Sequence, residues 1–217
     1  DCYNHFEICK LRHDNDSAAY WIELRACQDS TNVDWQLQAG RFIDDYIADY
    51  HKALRYYQRA LHSAMVQEGE KCEHVATSYN NIGLVYKSQG NYPKALEMLQ
   101  KALGIWLDVL GANHPYVATS YSNIGVVYDS QGNYPKALEM HQKALDIDLE
   151  VLGANHPDVA RSYNNIGSIY DSQGNYPKAL EMYQKALGIW LDVLGANHPD
   201  VARSYNNIGC VYDSQGN

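Results

Sequence analysis

The sequence predicts an all-α protein, a right-handed α-solenoid of tandem helix–turn–helix units. Three observations carry that expectation. The chain repeats itself: Asn-His-Pro recurs at Asn113, Asn155 and Asn197, and Ser-Gln-Gly-Asn at Ser88, Ser130, Ser172 and Ser214, with a step of 42 residues in both series. Residues 114–155 and 156–197 are identical at 33 of 42 positions, which is duplication. Within a unit the apolar residues fall at helical spacing. All six prolines stand where a helix would begin, and none inside one, where it would cost about 3 kcal/mol.

The unit at 114–155 shows how the elements follow. Pro115 suits a first helical turn, where no backbone N–H is missed. Val117, Ala118, Tyr121, Ile124, Val127 and Tyr128 then form one apolar stripe. Gln131-Gly132-Asn133 interrupts it, with Gly132 able to adopt a left-handed turn. Pro135 opens a second helix capped by Asn133. Ala137, Leu138, Met140, Ala144, Leu145, Ile147, Leu149 and Leu152 supply its buried face, and Gly153 ends it. A pair of helices cannot bury these stripes alone, so units stack.

By this reading, units span 72–113, 114–155 and 156–197, and residues 198–217 form the first helix of another. That last helix would leave an apolar face uncovered, so the natural protein is expected to continue. Residues 35–71 read as a degenerate unit. Asp49-Tyr50-His51-Lys52-Ala53-Leu54 lies 42 residues before the similar run Asn91–Leu96, and Leu54, Tyr57, Ala60 and Leu61 continue a stripe. Its first helix is weakly specified, because Gly40 and Arg41 stand where Ile82 and Gly83 stand later. Residues 1–34 have helical character around Ala18–Cys27, from Tyr20, Trp21 and Leu24. They read as a cap, a worn repeat or the end of a neighbouring domain.

Composition excludes several function classes. The chain is 46% apolar and 20% charged, as globular proteins are. Its formal charge of −9 opposes binding to nucleic acid or to anionic membranes. No apolar run reaches the roughly 18 residues that a membrane helix needs. Cys2, Cys9, Cys27, Cys72 and Cys210 are scattered and odd in number, a pattern of neither disulfide frameworks nor zinc sites, so a reducing cytoplasmic compartment is expected.

The residues now in view resemble the tetratricopeptide repeat. With Ala76 as first position, Tyr79, Ile82, Gly83, Tyr86, Ala95, Leu99 and Ala102 occupy that family's signature places. The 42-residue length exceeds the usual 34. This long form is similar to the repeats of kinesin light chains, including Tyr-Asn-Asn-Ile-Gly at 79–83 and Leu-Gly-x-x-His-Pro at 152–157. The resemblance implies a scaffold or adaptor that holds a protein or peptide segment in a concave groove, with a motor or signalling complex among its partners. It also allows a second reading, the sensor or regulatory arm of a larger enzyme or signalling NTPase.

In that family the first helix of each unit lines the groove. The implied binding face is Thr77, Asn80, Leu84 and Lys87; then Thr119, Ser122, Val126 and Asp129; then Arg161, Asn164, Ser168 and Asp171; then Arg203, Asn206, Cys210 and Asp213. These places vary between units while the packing places do not, and the Asn amide both donates and accepts. By resemblance, Asn80, Asn164 and Asn206 match asparagines that hold an extended ligand backbone, and Ser122 breaks the series. Arg161 and Arg203 are expected to pair with Asp171 and Asp213. Tyr79, Tyr121, Tyr163 and Tyr205 recur at a packing position, and Trp106 and Trp190 are expected in the core.

No catalytic residue, metal or cofactor is predicted. His114, His156 and His198 lie a full unit apart, on the order of 10 Å for packed helices, too far to share a metal. His-Pro-Asp at 156–158 and 198–200 reads as punctuation between units, despite its likeness to a co-chaperone tripeptide. Asn15-Asp16-Ser17 fits a glycosylation acceptor that is idle in the cytosol. The glycines recur singly, never as a phosphate loop, and no Ser or Cys nucleophile has a base at motif spacing.

Overall fold

The computed structural model describes residues 2–11 and 13–216, and every regular element among them is helical. The chain divides into two compact units, Asp1–Val109 and Leu110–Asn217. The first holds α1 (Cys2–Leu11), α2 (Asn15–Gln28), α3 (Val33–Phe42), a π-helical turn (Ile43–Ile47), α4 (Tyr50–Glu68), α5 (Glu73–Ser88) and α6 (Tyr92–Leu110), whose last residue reaches the boundary. The second holds α7 (Pro115–Ser130), α8 (Tyr134–Leu152), α9 (Pro157–Ser172), α10 (Tyr176–Leu194) and α11 (Pro199–Gln215).

Local chemistry sets the helix ends. Asp14, Asn32 and Asp49 accept the N–H of Ser17, Trp35 and Lys52 at 3.0–3.1 Å, capping α2, α3 and α4. Asn133 caps α8 as its position suggests, accepting from the Lys136 N–H at 3.4 Å. The duplicated Asn-His-Pro also acquires a function: His114, His156 and His198 each accept the N–H two residues on through Nδ1, at 3.2 Å. The histidines are therefore caps of α7, α9 and α11. At the turn inside a pair, Gly132 takes φ +70°, and the Asn133 N–H returns to the Tyr128 carbonyl at 2.8 Å.

Within a pair the two helices meet at a glycine. A Cβ on Gly167 would lie 2.8 Å from the Tyr183 ring, and one on Gly125 would lie 2.8 Å from His141 Nε2, so only glycine allows that approach. Above these contacts, second-helix lysines cover first-helix tyrosines. Lys143 sits 5.6 Å over Tyr121 and Lys185 5.5 Å over Tyr163, and each lysine also pairs with a glutamate one turn earlier at 2.7–2.8 Å. The repeated tyrosines are packing residues, half-buried in α5, α7 and α9. Tyr205 of α11 is 56% exposed, and no second helix follows α11 among the described residues. Trp106 and Trp190 are buried at 4% and 1% exposure.

Residues 33–68 correct one expectation. The weakly specified first helix exists as α3, because Gly40 does the work given to Gly83 later: a Cβ there would lie 2.6 Å from the Tyr57 ring. Tyr57 stands 42 residues before Leu99, but Gly40 stands 43 before Gly83. The π-helical turn at Ile43–Ile47 absorbs the extra residue, since a π-turn holds one residue more than an α-turn. Upstream, α2 covers the predicted 18–27 segment. Asn15 is its first residue.

Candidate functional site

The implied binding face is carried by α5 in the first unit and by α7, α9 and α11 in the second. On α5, Thr77, Asn80, Leu84 and Lys87 are each half-buried. On α7 and α9, Thr119 and Arg161 are exposed, whereas Ser122, Val126, Asp129, Asn164, Ser168 and Asp171 are half-buried. Arg203, Asn206 and Asp213 of α11 are exposed.

Neighbouring first helices are tied in register by a polar ladder. Asn207 Nδ2 donates to Asn164 Oδ1 at 3.0 Å, and Asn165 Nδ2 donates to Ser122 Oγ at 3.4 Å. The second asparagine of the Asn164-Asn165 and Asn206-Asn207 pairs thus reaches back to the equivalent of the first position one repeat earlier. Ser122 keeps this series intact, because a hydroxyl accepts where an amide carbonyl does elsewhere. Asn164 is consequently a structural acceptor as well as a surface group, and its partner Asn207 escaped the sequence reading.

The expected pairing of Arg161 with Asp171 and of Arg203 with Asp213 does not form. Arg161 pairs with Asp158, and Arg203 with Asp200 at 2.8 Å, each three residues earlier on its own helix. A shorter helical span wins over the longer one because i and i+3 share a face. Asp129, Asp171 and Asp213 are left in the last turns of α7, α9 and α11 without an ion pair among the described residues. That end of a helix disfavours negative charge. Burial raises the pKa of Asp129. The Tyr183 hydroxyl of α10 is pushed up to about 12, first by burial and then by the charge of Asp171, against the opposing effect of a hydrogen bond with Ser168.

A cavity of about 370 Å³ opens between α7, α8 and α9. It brings together Thr119, Ser122, Val126 and Arg161 of the implied face with Asp148, Asp158, Ser162 and Asn165, which sequence reasoning passed over. Asp148 is 7% exposed, and its Oδ2 accepts from Ser162 Oγ at 3.1 Å. A signal for it was present: Asp148 stands one repeat from Trp106 and from Trp190. Among the described residues no cluster of His, Cys, Asp and Glu could hold a metal, and no helix is long and apolar enough to cross a membrane.

Comparison with known proteins sets this geometry in a family. The tetratricopeptide-repeat model matches residues 46–105, 74–150, 130–191 and 172–217. A comparison with curated proteins finds no match. In fold the chain is similar to BtubC (BKLC) from P. vanneervenii, with 21% identity and a TM-score of 0.76, over 99% of this chain and 84% of that one. It is similar also to a candidate kinesin light chain from Podosopora anserina with nearly identical TPR-like repeats, at 18% identity and a TM-score of 0.71, over 86% and 88% of the two chains. A third likeness is to MamA, with 23% identity and a TM-score of 0.58, over 85% and 93%. At these identities the likeness is one of fold.

Proposed function

The chain belongs to the tetratricopeptide-repeat family, and from that premise we propose that it is a non-enzymatic cytoplasmic adaptor that holds a protein or peptide segment along its first helices. Repeat scaffolds of this kind are protein-interaction modules, and the segment, its pathway and its kinesin-light-chain-like role are our reading. The observation that carries it is the face shared by α7, α9 and α11. There the Asn ladder fixes three helices in register, and the carboxylates of Asp129, Asp171 and Asp213 recur at one position without ion-pair partners among the described residues. Stacked helices preorganise these groups, so little protein ordering accompanies docking. A net charge of −9 supports a protein partner over nucleic acid.

The test is site-specific photocrosslinking in cell extract, with the crosslinker at Ser168 on α9 or at the exposed Gln184 on α10. Discrete protein adducts are expected from position 168, lost when Asp171 and Asp213 are changed to Lys. Equal adduct patterns from 168 and 184 would sink the assignment of the face. Asn164→Ala is a poor probe, because it also removes the acceptor for Asn207.

A further inference from the structure

The cavity beside Asp148 lies where one repeat departs from its sisters. At this position of the second helix the flanking units carry Trp106 and Trp190, both buried. In α8 the residue is the smaller Asp148, and it lines the open cavity between α7, α8 and α9. The consequences run through the neighbouring helix. Where the tryptophan is present, Arg203 of α11 lies 5.3 Å over the Trp190 ring. Where it is absent, Arg161, the equivalent of Arg203, keeps the same i,i+3 carboxylate pair, to Asp158 as Arg203 has to Asp200, and lies at the edge of the cavity with no indole beneath it. The serines differ too. Ser78 and Ser120 donate to carbonyls one turn earlier on their own helices and the Ser204 hydroxyl has no hydrogen-bond partner among the described residues, whereas the equivalent Ser162 turns to the Asp148 carboxylate.

The result is a built site. At about 370 Å³ it falls in the size range of small ligand pockets. A carboxylate more than nine-tenths buried lies within it, and Ser162 supplies its single hydrogen bond among the described residues. Hydroxyls of Thr119, Ser122 and Ser162 line it, and Pro115, Ala118 and Val126 provide an apolar wall. Of the charged groups lining it, Asp158 pairs with Arg161, and Arg161 and the nearby His156 also act on Asp148, which itself forms no ion pair among the described residues. Burial raises the Asp148 pKa, and an incoming cation would relieve that penalty.

We propose that this cavity is a specificity pocket for an alkylammonium group, and that it receives one lysine side chain of the segment held on the first-helix face. The proposal rests on the adaptor reading for the source of the lysine. It commits to lysine because a compact ammonium on a flexible aliphatic stem matches an apolar wall ending at one carboxylate and several hydroxyls. Thr119, Ser122, Val126 and Arg161 belong both to the pocket and to that face, so a segment lying there passes the pocket mouth.

The experiment titrates the intact chain with Nα-acetyl-lysine N-methylamide and follows the backbone amide resonances of Thr119, Ser162 and Asn165. Saturable shifts are expected, at least tenfold weaker in Asp148→Asn and absent in Asp148→Trp. The tryptophan variant restores the residue its sister repeats carry, so it should fold. The Nε-acetylated probe should not bind. Equal shifts with Asp148→Trp, or equal binding of the acetylated probe, would overturn the pocket. Tighter binding of pentane-1,5-diamine than of the lysine derivative would assign the pocket to free amines and overturn the lysine. Crosslinking at Ser168 with no response to the lysine probe would leave the adaptor reading standing and remove the pocket. The reverse result would support the pocket and remove the adaptor.

Discussion

Two residues of α8 make the middle repeat sensitive to pH, and they act in opposite directions. His141 is 1% exposed, its Nδ1 has no hydrogen-bond partner, and burial lowers its pKa to about 4. The unfolded chain takes up a proton near pH 6.5 where the folded one does not, so this residue subtracts stability as pH falls from about 6.5 towards 4. The loss should reach roughly 2–3 kcal/mol at pH 4. Leu99 holds the same position one repeat earlier, so His141→Leu should abolish the loss. Urea titrations at pH 7.5, 5.5 and 4.5 would show it, and a variant that loses as much stability as the parent would refute the account. Asp148 has the contrary sign. Its pKa is raised chiefly by burial, so its charged form is penalised in the folded state. Stability is therefore lost as pH rises from the unfolded value near 3.8 through the folded one. Asp148→Trp removes the penalty and fills the cavity, and should stabilise the chain at pH 7 by about 1–3 kcal/mol. A lowered midpoint in thermal unfolding would contradict it.

At the scale of the element, first helices begin and align through side chains the duplication copies. His156 Nδ1 holds the Asp158 N–H at 3.2 Å, so His156→Ala should cost about 1 kcal/mol and His156→Asn much less. Chemical denaturation of the two variants distinguishes a cap from punctuation without energetic weight, which would leave them equal. The ladder between α9 and α11 is likewise testable. Asn164→Ala strands the Asn207 amide and should cost about 1 kcal/mol. Adding Asn207→Ala should then cost little more, and strictly additive losses in a double-mutant cycle would show that the ladder carries no coupling.

Across the molecule, a repeat array is stabilised as a sum of pair stabilities and neighbour interfaces, so a weak pair should open on its own. Pair α7–α8 carries His141 and Asp148 where α9–α10 carries Tyr183 and Trp190, both aromatic and at most 2% exposed. The imidazole and the carboxylate bury less apolar surface, and one lines a cavity. Amide hydrogen exchange at pH 7 should show residues 115–152 opening at a free energy lower than residues 157–194 by about 1 kcal/mol or more. Indistinguishable protection would mean that the two pairs unfold as one. A lysine-bearing ligand in the Asp148 pocket should close the difference, because it stabilises only the closed state.

The amino-acid sequence by itself determined the helices, their order and most of their ends. A 42-residue duplication, a 3.6-residue apolar period and proline placement are all local signals, and backbone sterics and burial convert them directly into paired helices. It also marked the variable positions of the first helices, because duplication displays what packing holds constant. Only the tertiary structure decided the partners. That α3 survives the misplaced Gly40 depends on a π-turn which shifts the glycine under Tyr57. That Arg161 binds Asp158 and not Asp171, and that Asn207 reaches Asn164, depends on which side chains share a helix face and on how neighbouring helices align. The exchange of tryptophan for Asp148 is plain in the sequence. That Asp148 lines a cavity shared by α7, α8 and α9 depends on how those three helices pack, which no local signal carries.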